Sequence, residues 1–133
     1  MEETSLLLNV ESLDIARAYL FGNVKFIDLL MVLIIIDIIT GVVKAWKFQK
    51  LRSRSAWFGY VRKMLTFLVI IVANVIDQIL GLSGVVSFGT VLFYVGQEVL
   101  SITENLAQVG VKVPKTITKR LQVIEEKSED YDK

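Results

Sequence analysis

Four carboxylates stand where hydrocarbon side chains surround them: Asp28 and Asp37 in the first long apolar run, Asp77 in the second and Glu98 in the third. Acids in such places can relay a cation or proton, or pin helices together through hydrogen bonds. A charge at the centre of a membrane helix costs roughly 2.5–3.5 kcal/mol on insertion scales, so each acid needs a compensating partner and is by default a functional residue. The usual catalytic inventory is otherwise thin. There is no histidine and no cysteine, which removes the commonest general base near neutral pH, the commonest metal ligand and any thiolate or disulfide chemistry. No enzymatic activity, cofactor or metal site is expected. The formal net charge of +1 points to no nucleic-acid partner.

The elements that position these acids follow from hydropathy. The chain has 133 residues, 53% of them hydrophobic, and a mean hydropathy of +0.56. About 20 mostly apolar residues cross a bilayer as a helix. Phe26 to Val43 supplies 18, Met64 to Leu82 supplies 19 and Val85 to Thr103 supplies 19, all without lysine or arginine. A helix of a soluble bundle keeps a charged face, and these runs lack one. The expected fold is an all-α membrane protein with three transmembrane helices at about 26–43, 64–82 and 85–103. The acidic start, interrupted by Glu11, Asp14 and Arg17, does not read as a signal peptide.

Loop charge sets the expected orientation. Lys44, Lys47, Lys50, Arg52, Arg54, Arg62 and Lys63 fall between the first two runs with no acid among them, and such loops stay in the cytoplasm. Trp46 and Trp57 in the same segment suit an interfacial belt beside anionic lipid. Ser83 and Gly84 alone join the second and third runs, so these form a tight hairpin. The N-terminus is expected outside and the C-terminus in the cytoplasm.

One membrane domain over residues 1–133 is expected. Within it, 1–23 form an outer amphipathic segment, 44–63 a basic cytoplasmic loop and 104–133 a cytoplasmic tail. The N-terminal helix is expected at about Ser12–Phe21, with Leu13, Ala16 and Leu20 on one face and Gly22-Asn23 as its stop. Whether it lies on the membrane or enters it stays open. Gly110 and Pro114 stop the third helix. A C-terminal cytoplasmic helix resumes at Lys115, with Ile117, Leu121 and Ile124 on one face.

Helical spacing gives each acid polar or small company. Thr40, Gly41 and Lys44 stack with Asp37; Asn74 and Gly81 with Asp77; Tyr94, Ser101 and Asn105 with Glu98. At about 1.5 Å per residue, Asp37 lies roughly 10 Å and Glu98 roughly 7 Å from the inner ends of their spans. The two acids are therefore expected to meet in the inner half, with Lys44 as the nearest base. Asp28, roughly 3 Å in, can snorkel outward. Gly41 with Ala45, and Gly89 with Gly96, have the spacing of helix–helix contacts. Three polar stripes can close on each other in one chain, or line an assembly interface or pore. The second arrangement is the expectation.

The stretch "GQEVLSITENLAQVGVKVPK", Gly96 to Lys115, resembles the C-terminal signature of the phage holin family that includes the clostridial toxin-secretion holins. Glu98, Leu100, Ser101, Ile102, Glu104, Asn105, Gly110, Pro114 and Lys115 carry the match. Asp37, Thr40, Gly41 and Lys44 resemble that family's Asp-x-x-Thr-Gly-x-x-Lys pattern, and Gly59, Arg62, Lys63 and Asp77 look similar. Gln97 departs from the asparagine of many members. The resemblance covers about residues 28–121. It implies a three-span protein of the bacterial cytoplasmic membrane that forms homo-oligomers and opens pores. Membrane lipid and other copies would be its partners, and an endolysin or toxin its cargo. Two other classes fit the same acids: a small ion channel or transporter, and a regulatory antiholin-like subunit without permeability of its own.

Overall fold

The computed structural model describes residues 2–49 and 54–132, and those residues form five helices with no strand among them. They are α1 (Glu2–Phe21), α2 (Ile27–Lys47), α3 (Arg54–Leu80), α4 (Val85–Gln108) and α5 (Lys115–Asp132). α4 is the central helix: α2, α3 and α5 each pack along it, whereas α2 and α3 have little direct contact with one another. The fold is all-α, as expected.

Glycines end the helices where the sequence places them. α1 stops at Gly22, whose φ of +65° is open to a residue without Cβ. Gly81 and Gly110, at φ +63° and +93°, end α3 and α4. At each the amide two residues past the last helical turn reaches back: Leu82 N donates to the Asp77 carbonyl at 3.0 Å, and Val111 N to the Leu106 carbonyl at 2.9 Å. This is the Schellman closure, which satisfies carbonyls left over at a helix end. α4 has already ended at Gln108, so Gly110 rather than Pro114 stops it; Pro114 instead stands immediately before α5.

The helices run further than the apolar stretches. α2 continues through Lys44 to Lys47, and α3 begins at Arg54, ten residues ahead of the apolar run that starts at Met64. Most of the predicted basic loop is therefore helical, because lysine, arginine and alanine are good helix formers with nothing to break the turn before position 48. Ala56–Leu80 and Val85–Gln108 are long and apolar enough to cross a membrane by length and composition. α2 has 21 residues and carries Asp28, Asp37, Lys44 and Lys47.

The core lies where α2, α3 and α4 converge. Ile27, Leu30 and Ile34 from α2, Ile70 from α3, and Val91 and Val95 from α4 are buried together, flanked by Phe21, Phe67 and Tyr94. Phe26 and Phe88 stack at 6.1 Å at the starts of α2 and α4. In lipid such burial adds little driving force, because acyl chains are as apolar as leucine; packing and buried polar bonds then specify the bundle. Leu68, Val69, Val72 and Ile76 of α3 point away from the bundle.

The N-terminal helix differs from expectation, and the C-terminal one, which starts at Lys115 as expected, gains a partner. α1 begins ten residues earlier than Ser12. Its apolar side chains are not gathered on one face, and Leu13, Ala16 and Leu20 are all exposed. Its C-terminal end meets the bundle through Phe21 against Phe67, an Arg17–Asp28 ion pair at 2.8 Å and the Asn74 side chain. α5 does not stand free: it runs back along α4 and buries Leu121 and Ser128.

Candidate functional site

Asp37 sits at the centre of a polar network joining α2, α3 and α4. Its carboxylate is 2% exposed and carries three bonds. Oδ1 accepts from Ser101 Oγ at 2.7 Å and from Asn105 Nδ2 at 2.9 Å. Oδ2 accepts from Lys63 Nζ. Lys63 also donates to Glu98, 3.2 Å from Oε2. Thr40 Oγ1 donates to the Asp37 carbonyl at 3.0 Å and accepts from Asn105 Nδ2 at 3.0 Å.

Local sequence explains the geometry. Asp37 and Thr40 lie three apart on α2, while Glu98, Ser101 and Asn105 follow at three and four on α4. Each set therefore forms one face, and the two faces meet. Gly41, one turn below Asp37, brings α2 close to Asn105: a Cβ there would lie 3.7 Å from Nδ2. Among the described residues no buried side-chain nitrogen or oxygen lacks a partner. A buried network that is fully bonded fixes one arrangement of helices; a half-bonded one would not.

The expected meeting of Asp37 with Glu98 takes place through Lys63, not Lys44. Lys63 reads from the sequence as a topology residue at the edge of a span. It lies instead nine residues inside α3, and its long stem carries the ammonium inward between two acids. Lys44 lines a cavity of about 690 Å³ with Gly41, Gly59, Tyr60 and Lys63, open between α2 and α3. The signal that could have singled out Lys63 was arithmetic: two acids at one depth call for a base near that depth.

The other acids have separate duties. Asp77, 4% exposed, accepts from Val86 N at 2.9 Å, Ser87 N at 2.8 Å and Ser87 Oγ at 2.6 Å. Gly84, the residue before α4, has no side chain to cap it. The carboxylate of the preceding helix does so, against the positive end of the α4 dipole. Asn74 donates to the Tyr19 and Leu20 carbonyls at 3.3 and 2.9 Å and so caps α1. Asp77 and Asn74 are inter-helix groups apart from the Asp37 network. Asp28 is exposed and pairs with Arg17.

Some predicted residues stay outside. Glu104 is exposed and does not join the network. Arg54, Arg62, Trp46 and Trp57 are exposed, the arrangement an interfacial belt requires. Lys47 Nζ donates to the Gln108 carbonyl at 3.3 Å and ties the ends of α2 and α4. Lys50 and Arg52 lie outside the described residues. Among the described residues no group of three acids forms a metal site.

Residues 15–126 match the family model of the bacteriophage holin family. A probable holin of Bacillus phage phi105 is 73% identical over 118 residues, 89% of this chain and 87% of that protein. The uncharacterized protein YqxH of Bacillus subtilis is 69% identical, over 97% of this chain and 92% of its own length. An uncharacterized 14.9 kDa protein in the nagH 3′ region of Clostridium perfringens is 34% identical over 89% of this chain and 91% of its own. No solved structure matches the chain. By this family match and these relatives, the chain whose helices are tied at Asp37, Lys63 and Glu98 belongs to the bacteriophage holin family.

Proposed function

We propose that the protein is a holin of the bacterial cytoplasmic membrane: it assembles with copies of itself and opens lesions through which an endolysin, or in some hosts a toxin, leaves the cytoplasm. The observation that carries this reading is the family match across residues 15–126. In this reading α2 spans beside α3 and α4, giving three crossings. The N-terminus lies outside, and the exposed basic residues between Lys47 and Arg62 meet anionic lipid at the inner face. The Asp37–Lys63–Glu98 network then lies at membrane depth and fixes the packing of the three helices. It performs no covalent chemistry.

The test is expression of the chain in bacteria with and without a co-expressed endolysin. Release of a cytoplasmic enzyme, followed by lysis only when endolysin is present, is the expected outcome. A saturable ion flux without macromolecular release would favour a channel or transporter using the same acids. No permeability at high expression would favour an antiholin-like subunit and overturn the proposal.

A further inference from the structure

We infer that α5, docked along α4, forms the water-facing wall of the assembled lesion; this rests on the pore-forming reading above. The observation is a conflict of surfaces. α5 follows the short connection 109–114 and runs back toward the start of α4. Ile124, Lys127 and Asp130 share a cavity of about 580 Å³ with Phe26, Leu29, Phe88, Leu92 and Val95, residues in or just before the first halves of α2 and α4, away from that connection. α5 thus accompanies α4 over much of the depth that α4 crosses.

The inner face of α5 fits that position. Leu121 and Ser128 are buried 4% and 2% exposed, seven residues apart on one side of the helix. Its outer face does not fit lipid. Lys119, Arg120, Glu126, Lys127, Glu129 and Asp130 are all exposed, and a dense run of charges is not stable against acyl chains. At the same depth, Leu68, Val69, Val72 and Ile76 of α3 present a purely apolar surface. One molecule therefore offers a lipid-compatible face and a water-compatible face side by side. Copies arranged with α3 toward lipid and α5 toward the centre enclose water.

Docking also changes what α4 presents. Without α5, Phe88 and Leu92 suit lipid or another apolar helix. With α5 in place the same flank is covered by charge. Gly110, at φ +93°, makes the turn that lets α5 fold back. A chain with α5 undocked in the cytoplasm can thus reside in lipid, and docking α5 wets the assembly.

The absence of cysteine makes the test direct. Leu92→Cys with Ile124→Cys is expected to form an intramolecular disulfide on oxidation of membranes taken after lysis begins, and little before. In a second arm, Glu126→Cys is purified into dye-loaded vesicles of anionic and zwitterionic phospholipid. Attaching a bulky maleimide there should slow dye efflux several-fold, whereas the same reagent on Glu3→Cys should not. Lesions that open with no α4–α5 disulfide, or efflux untouched by the maleimide on residue 126, overturn the lining while leaving the holin reading intact. A disulfide equally abundant before lysis also overturns it. Failure of the unmodified chain to release any cytoplasmic enzyme sinks both.

Discussion

Lys63 of α3 joins Asp37 of α2 across a groove where the two helices otherwise hardly meet. The pair holds together helices that pack mainly on α4, so its removal should loosen the bundle. Breaking a buried pair by deleting one partner costs about 3–5 kcal/mol, because the other charge stays buried. The Lys63 side chain is 23% exposed, which places the effect at the lower end. Lys63→Met should therefore unfold more readily than the parent in detergent titrations. Adding Asp37→Asn should recover part of the loss, since one of the two orphaned charges goes too, the other staying on Glu98. Equal stability of Lys63→Met and the parent would show that the pair holds nothing.

Asp77→Ala should weaken the α3–α4 hairpin by removing the acceptor of three bonds at once. Losing an N-terminal cap costs about 0.5–2 kcal/mol, and losing a negative charge near the helix start adds about 0.3–1 kcal/mol. Ser87→Ala removes one of the three bonds and should cost less, with Asp77→Asn between them. Thermal unfolding in micelles checks this order.

How far the sequence reveals this site depends on what periodicity can carry. The 3.6-residue repeat put Thr40 beside Asp37 and Ser101 and Asn105 beside Glu98, and a rise of about 1.5 Å per residue set the two acids at one depth. Periodicity says nothing of whether a lysine at a span edge reaches outward or inward, so Lys63 read as a topology charge. Asp77 shared that ambiguity: an acid in the outer half of a span looks the same whether it lines a pore or caps the next helix. The two-residue connection before Val85 was the available clue. For α5 the burial of Leu121 was legible, whereas Ile117 stays exposed; the partner of the stripe was not legible, because an amphipathic stripe fits any apolar surface.

Gly22 and Gly41 should respond differently to alanine. At Gly22 the backbone has φ +65°, and a Cβ would come within 2.9 Å of Asn74 Oδ1. Gly22→Ala should therefore disturb the bond from Asn74 to the end of α1 and make α1 easier for protease to remove from membranes. A Cβ on Gly41 meets only ordinary contact, 3.7 Å from Asn105 Nδ2, so Gly41→Ala should leave proteolysis and stability near parental values. Equal sensitivity at both sites would contradict the close approach at Gly22.

Asp37 and Glu98 share one lysine, so with all three ionised the network keeps one negative charge, which in the three-span reading lies within the membrane field. A charge moved through the full field gains about 2.3 kcal/mol per 100 mV, and one part-way through proportionally less. Assembly that displaces this site should therefore respond to membrane potential, with an uncoupler advancing lysis. Asp37→Asn keeps acceptor capacity for Ser101 but leaves Glu98 and Lys63 balanced; Glu98→Gln leaves Asp37 and Lys63 balanced. Both should blunt the response to the uncoupler. The double variant Asp37→Asn with Lys63→Met restores a single negative charge, on Glu98, and should regain the response even though its network is altered. Lysis timed by culture density, with and without uncoupler, gives the comparison. If the single variants respond like the parent, the charge of this network does not set the trigger; if the double variant stays blunted, structure rather than charge is responsible.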